Sequence, residues 1–158
     1  MAALAFASGC SNDKSDTAST ETRPVLTAAT LGEQRMLTRD EYLSASPYSD
    51  ADAARGERLA AQCRACHTLN AGGATMIGPN LYGFFGQRAG ASDDRFAYSQ
   101  ALAEADFIWT PRALDAWLAE PARFLPGNRM SYAGLRDEDD RNDLIAWLLA
   151  EVSNDPGE

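Results

Sequence analysis

The chain's single histidine directly follows a pair of cysteines, in the segment Cys63-Arg64-Ala65-Cys66-His67. A Cys-x-x-Cys pair is typical of a zinc site, a redox dithiol or a point of haem attachment. Zinc needs four ligands, and the chain has no second cysteine pair and no second histidine. A thioredoxin-like dithiol belongs to a βαβ unit, which the sequence does not predict. The adjacent histidine therefore indicates haem c: the two thiols add to the porphyrin's vinyl groups, and the imidazole becomes an axial iron ligand.

The segments around this motif have helical patterns, and no alternating pattern predicts a strand. Residues 68–92 are rich in glycine and are predicted to form loops. Pro121, Pro126 and Gly127 are expected to interrupt the chain. We therefore predict an all-α fold of short helices around one haem. The predicted helices are a short one after a Thr38–Glu41 capping box, one over 52–62, a short one over 95–104, one from Pro111 to about Leu118 with Thr110 as N-cap, and one from about Asp137 to Val152.

The N-terminal part has a different composition. Residues 1–10 form a short apolar run that ends at Cys10 and resembles the end of a bacterial lipoprotein signal peptide, which predicts a lipidated Cys10. An ordinary secretory signal and an uncleaved apolar tail are the alternatives. Residues 11–50 are predicted to be a flexible tether with one short helix, residues 51–153 the folded domain, and residues 154–158 a tail.

From about Gly56 to Trp147 the sequence resembles the class I cytochromes c. Besides the cysteine–histidine motif, the resemblance rests on Gly78-Pro79-Asn80-Leu81 and on Pro126-Gly127-Asn128-Arg129-Met130. It implies that the carbonyl of Pro79 accepts the N–H of the His67 imidazole, which raises the basicity of the ring. It also implies that Met130 supplies the second axial ligand, which raises the reduction potential. Met76 and Met36 are rival ligands, but Met76 lies on the histidine side and Met36 in the predicted tether.

Several aromatic residues also match the family. By the resemblance, Trp109 and Tyr98 contact a haem propionate and Trp117 lines the pocket beside the methionine; plain core packing is the alternative for each. Trp147 lies on the last helix, where an aromatic residue packs against the first. Gln87 stands where the family often has a propionate-pairing arginine, so Arg88 is a candidate substitute.

Charge restricts the partners. The chain has a net charge of −9, which argues against nucleic acid and anionic lipid headgroups as general partners. Residues 51–150 hold ten arginines, thirteen acidic residues and no lysine, so the domain lacks the lysine ring of the mitochondrial proteins.

The resemblance implies a single-electron carrier rather than an enzyme. Its donor is expected to be a quinol-oxidising complex or a dehydrogenase, and its acceptor a terminal oxidase. The expected location is the periplasm, at the cytoplasmic membrane, anchored through Cys10. A haem peroxidase or gas sensor with a labile sixth ligand is the alternative, although no second histidine exists for acid–base catalysis. A domain docked permanently on an oxidase is a further reading.

Overall fold

A computed structural model describes Met1 and residues 26–154 of the chain, so the Cys10 prediction lies outside the described residues. Within these residues the architecture is all-α, with one isolated bridge, between Arg88 and Ile108, as the only extended pairing. Two short 3-10 turns lie at Ala28–Thr30 and Tyr48–Asp50. The helices are α1 (Arg39–Leu43), α2 (Ala53–Arg64), α3 (Gln100–Ala103), α4 (Pro111–Ala119), α5 (Pro121–Phe124) and α6 (Glu138–Val152).

Helices α2 and α6 pack closely against each other. Gly56 makes this contact possible, because a Cβ atom at this position would lie 2.7 Å from Cβ of Trp147. Ala60, one turn further along α2, is completely buried. The start of α2 is tied to α6 as well, since the backbone N–H of Asp52 donates to Oδ1 of Asp143 at 2.8 Å. This crossing fixes the end of α2, where the cysteine–histidine motif begins.

Two of the predicted caps are confirmed: Thr38 and Glu41 form a reciprocal capping box at α1, and Thr110 caps α4 ahead of Pro111. Asp137, expected as the first residue of the last helix, lies just before it and caps α6. The helix expected over 95–104 is wrong in its extent: it covers only Gln100–Ala103, capped by Ser99. The expected break at Pro121 is present, since α4 ends at Ala119 and Glu120 has a non-helical backbone; Pro121 then opens α5, because proline is well suited to the first turn of a helix.

The segment 27–50 lies against the rest of the domain. Leu31 is 2% exposed and belongs to the buried apolar cluster. The Oε1 atom of Gln34 accepts a hydrogen bond from the backbone N–H of Ile108 at 2.6 Å. Met36 packs against the same cluster next to Gly86. The packed part of the chain therefore begins well before residue 51.

The core combines the aromatic side chains of the middle of the chain with α6, whose residues from Asp143 to Leu149 are all buried. Trp109 makes edge-to-face contacts with Phe107 and Trp117, at centroid distances of 4.9 and 5.4 Å. Leu144, Leu148 and the neighbouring apolar residues of α6 are almost fully buried. Among the helices of the described residues, none has the length and apolar character needed to cross a bilayer.

Candidate cofactor site

The cysteine–histidine motif lies where α2 ends. Cys63 is in the last turn of the helix, and its carbonyl accepts the backbone N–H groups of Cys66 and His67 at 3.0 and 2.9 Å. One more tight turn thus carries the second thiol and the imidazole. Both cysteines are free thiols. Burial raises the pKa of the Cys63 thiol above its ordinary value, so the group is a neutral thiol before any reaction.

The ring of His67 is held on one side by the loop that follows it. Its Nδ1–H donates to the carbonyl oxygen of Pro79 at 2.7 Å. A side chain at position 78 would collide with the ring, since a Cβ atom on Gly78 would lie 2.6 Å from Nδ1. Burial lowers the pKa of His67, with the Pro79 hydrogen bond acting in the opposite direction. The ring is therefore neutral near pH 7, which is the form that binds metal ions.

The loop over residues 73–80, called here the histidine-side loop, is fixed by side chains that the sequence analysis did not identify. The amide of Asn80 donates to Thr68 Oγ1 at 2.7 Å and to the carbonyls of Thr68 and Asn70 at 3.1 Å. On the far side, a carboxylate oxygen of Asp93 accepts the backbone N–H of Asn80 at 2.9 Å and the hydroxyl of Thr75 at 3.0 Å. The loop is thus held both to residues 68–70 and to Asp93.

Asp93 is a buried charge with several donors. Its residue is 5% exposed, and its second oxygen accepts the backbone N–H and Nε of Arg95, both at 3.1 Å. Burial alone would raise the pKa of this carboxyl, but the hydrogen bonds from Asn80, Arg95 and Thr75 lower it to about 2. No local sequence pattern distinguished Asp93 from its neighbour Asp94, because the partners of Asp93 include loop residues far from it in the chain.

Met130 is held by the turn that follows α5. Asn128 organises this turn: its amide donates to the carbonyls of Pro121 and Leu125, and its Oδ1 accepts the backbone N–H of Met130 at 2.9 Å. The sulfur of Met130 accepts the indole N–H of Trp117 at 3.2 Å. Met130 packs against the buried cluster, as does Cys63. The rival Met76 is 47% exposed on the histidine-side loop.

The remaining aromatic candidates fall into two groups. Trp109 and Trp117 are buried core residues in edge-to-face contact. Tyr98 uses its hydroxyl within the chain, next to Ser92 Oγ and as acceptor for the Asp93 N–H, each at 3.0 Å. Trp147 packs at the α2–α6 crossing, with the guanidinium of Arg64 5.0 Å from its ring centroid.

Gln87, which stands in place of the family's arginine, and Arg88, the candidate substitute, are both exposed. Gln87 accepts the backbone N–H of Trp109 through its carbonyl at 2.9 Å, and Arg88 forms the isolated bridge with Ile108. Burial does not distinguish the two side chains, because both are exposed. That Arg88 replaces the family's propionate-pairing arginine stays a prediction.

These residues fit a covalently attached haem. Two reduced thiols lie one turn apart, and the imidazole of His67 follows them. Its Nδ1–H is hydrogen-bonded to the carbonyl oxygen of Pro79. Within residues 26–154, no hydrogen bond reaches its Nε2 atom, the ring nitrogen that remains for an iron. A partly buried thioether is available from Met130. The donor set is thus one imidazole and one soft sulfur, the pair typical of cytochromes c.

Comparisons with known proteins identify the family of this chain. The family model described as Cytochrome c matches residues 53–150. Cytochrome c of Theileria parva is 44% identical over 100 residues, which cover 63% of this chain and 85% of that protein. Cytochrome c2 of Agrobacterium tumefaciens is 35% identical over 112 residues, 69% of this chain and 100% of that protein.

A solved structure gives the same result for the fold. Cytochrome cH from Methylobacterium extorquens aligns with a TM-score of 0.59 and 37% identity, over 63% of this chain and 99% of that one. Segment 27–50 lies outside the residues that the family model matches. The chain belongs to the cytochrome c family, as a class I c-type cytochrome that binds one covalent haem c and transfers electrons rather than catalysing a reaction.

Proposed function

We propose that this chain carries single electrons through one haem c ligated by His67 and Met130 and attached through Cys63 and Cys66. Haem bound there supplies an iron that alternates between the ferric and ferrous states. The protein's part is to hold both axial donors. Pro79 and Gly78 orient the imidazole, and Trp117 with Asn128 holds the thioether.

The observation that carries this proposal is that each donor has its own fixed support. The His67 ring is bonded at Nδ1, so its orientation is set before it meets a metal. The Met130 sulfur is fixed by the Trp117 N–H, and its backbone by Asn128. If both donors bound the iron, His67 and Met130 would fill its two axial positions and leave none for a substrate. The arrangement therefore favours electron transfer over a peroxidase or gas-sensing reaction.

The proposed donor is a quinol-oxidising complex or a dehydrogenase, and the proposed acceptor is a terminal oxidase. The domain has no lysine between residues 51 and 150, so long-range attraction to an acidic partner is weak. An anchor on the same membrane as the partners would replace this attraction by raising the local concentration. Lipidation of Cys10 in the periplasm would supply such an anchor.

The packed segment 27–50 limits how far such an anchor lets the domain move. Sixteen residue steps separate Cys10 from Leu26, and a fully extended chain of this length spans at most ~55 Å. If the forty residues 11–50 were all free, the limit would be ~140 Å. The proposed anchor therefore confines the domain to partners close to the membrane surface.

Redox titration of two methionine variants tests the ligand assignment. Met130→Ala should abolish the weak long-wavelength band of methionine-ligated ferric haem and lower the midpoint potential by on the order of 100 mV. Met76→Ala is the matched control, because this methionine is half exposed on the histidine-side loop. A Met130→Ala protein with an unchanged band and potential would refute the assignment, and the same losses in Met76→Ala would transfer it to that residue.

Mass spectrometry and fractionation test the anchor. The mature protein should begin at a diacylated Cys10, and Cys10→Ser should release the domain from membranes without changing its spectrum. A mature N-terminus elsewhere, or a Cys10→Ser protein that stays in the membrane fraction, would contradict the anchor and leave the haem site untouched.

A further inference from the structure

One peptide group connects Asp93 to the histidine. The carbonyl that accepts the His67 Nδ1–H belongs to Pro79, and the N–H that donates to Asp93 belongs to Asn80. These two groups are the two polar ends of the same planar peptide unit. The structure thus contains a continuous series of hydrogen bonds from the Asp93 carboxylate, through this peptide, to the imidazole. Its two bonds measure 2.9 and 2.7 Å.

We propose that Asp93 is a positioning and tuning residue that acts on His67 through the Pro79–Asn80 peptide group. The proposal rests on the proposed function, because it takes His67 as an iron ligand. A carboxylate that accepts an amide N–H polarises the amide and makes its carbonyl oxygen a stronger acceptor. The stronger acceptor draws the Nδ1 proton and gives the imidazole more electron density to donate from Nε2. Through this peptide group, Asp93 would favour the ferric state of an iron bound to His67.

The surroundings of Asp93 keep this arrangement in place. One carboxylate oxygen serves Asn80 and Thr75, and the other serves Arg95, whose guanidinium also donates to the carbonyl of Gly73 at 2.9 Å. The loop is thus held at three points, on both sides of Gly78 and Pro79.

Burial keeps water from replacing the Asp93 carboxylate as the partner of the Asn80 N–H. The Asn80 residue is 6% exposed, so its N–H has no ready access to water if the carboxylate is removed. The low pKa keeps the Asp93 carboxylate ionised throughout the neutral range. An exposed carboxylate would be screened by salt, but a buried one that is hydrogen-bonded directly to the peptide is screened far less.

The closest neighbour in sequence supplies a matched control. Asp94 is exposed, carries the same charge and lies one residue along the chain. Asp93→Asn and Asp94→Asn both remove one negative charge near the same loop. Only the first removes the carboxylate from the Asn80 N–H. Comparison of the two variants therefore separates the effect through the peptide from the effect of charge through solvent.

The experiment measures midpoint potentials of the holoprotein at low salt and at 0.5 M salt. Asp93→Asn should raise the reduction equilibrium constant by about 1.5- to 4-fold, which is about 10–35 mV at 59 mV per tenfold. The change should persist at high salt. Asp94→Asn should change the constant by less than half as much, and high salt should remove that change. Equal shifts in the two variants, or none in Asp93→Asn, would overturn the proposal.

NMR gives a second readout that a merely structural role would not reproduce. In Asp93→Asn, the Nδ1–H resonance of His67 should move upfield and the Asn80 amide should exchange at least tenfold faster. Faster exchange with an unmoved His67 resonance would mean that Asp93 only holds the loop, and the proposal would be wrong. If wild-type protein shows no hyperfine-shifted imidazole resonances, the ligand assignment fails instead, so the two failures are distinguishable.

Thr75→Val supplies the test if Asp93→Asn does not give folded holoprotein. Valine has nearly the shape of threonine but removes the hydroxyl that shares the carboxylate oxygen with Asn80. The bond from the Asn80 N–H should then strengthen, and the His67 Nδ1–H resonance should move downfield, opposite to the shift in Asp93→Asn. An unmoved resonance, or an upfield shift, would contradict the proposal.

Discussion

The hydrogen bond from Trp117 to Met130 gives the sharpest prediction about the reduction potential. The indole N–H donates to the sulfur at 3.2 Å, and Trp117 is 5% exposed. Such a bond withdraws electron density from the sulfur, which weakens it as a donor to ferric iron more than to ferrous iron. Trp117→Phe keeps an aromatic ring at this position but removes the donor. We expect the midpoint potential to fall.

The magnitude follows from the strength of the bond. A typical hydrogen bond contributes about 0.5–1.5 kcal/mol net, and a thioether is a weak acceptor, so about 0.5–1 kcal/mol is appropriate here. If this energy is present in only one oxidation state, the potential falls by about 20–40 mV, since 59 mV corresponds to a tenfold change for one electron. The smaller ring should also lower the free energy of unfolding by about 1–2 kcal/mol, less than the truncation of a tryptophan to alanine.

Spectroelectrochemical titration of Trp117→Phe and Trp147→Phe separates these effects. Trp147 is similarly buried, at 8%, but lies at the α2–α6 crossing, where its ring is 5.0 Å from the Arg64 guanidinium. Both variants should lose stability, and only Trp117→Phe should lose potential. The reasoning is refuted if the two variants shift the potential equally, or if Trp117→Phe leaves it unchanged.

Three further predictions concern stability. Because the pKa of Asp93 is lower in the folded state than its unfolded value near 3.8, the carboxylate stabilises the fold by ~2 kcal/mol at pH values above 3.8, and this contribution should disappear as the pH falls toward 2. Between pH 5 and pH 2.5, the free energy of unfolding in urea should therefore fall more in wild type than in Asp93→Asn. Gly56→Ala should lower the free energy of unfolding in denaturant by about 1–3 kcal/mol and leave the midpoint potential unchanged. Gly78→Ala should also alter the haem spectrum, because its methyl group meets the imidazole of His67. Haem spectra that are the same in both variants would contradict this. Leu31→Ala should cost about 2–5 kcal/mol in a single cooperative transition, and Glu33→Ala less than 0.5 kcal/mol; equal losses would mean that segment 27–50 is not part of the folded unit.

Local signals in the sequence predicted much of the fold. Thr38 and Thr110 each precede a helix, because a short polar side chain satisfies a free N–H in the first turn. These interactions involve residues three positions apart, so they can be recognised in a single sequence. The apolar spacing of α6 likewise predicted a helix, and the structure confirms the helix. The expectation of a single apolar face is wrong, because all residues from Asp143 to Leu149 are buried, which covers every side of the helix.

Contacts between distant residues were not predictable in this way. Leu31 is buried although the residues around it have no regular apolar spacing, because its neighbours in space come from elsewhere in the chain. The helix expected over 95–104 is short because Asp93, Arg95 and Tyr98 hold the preceding residues in other hydrogen bonds. The role of Asp93 depends on Asn80, thirteen residues earlier. No local pattern indicates that pairing.

The central claim is that His67 and Met130 fill both axial positions of one covalent haem. The most direct test is the absorption spectrum of the purified ferrous protein before and after addition of carbon monoxide. We predict a sharp low-spin α-band that carbon monoxide leaves unchanged, with haem that acid–acetone extraction does not remove. A colourless protein, extractable haem, or a spectrum that shifts promptly with carbon monoxide would contradict the account.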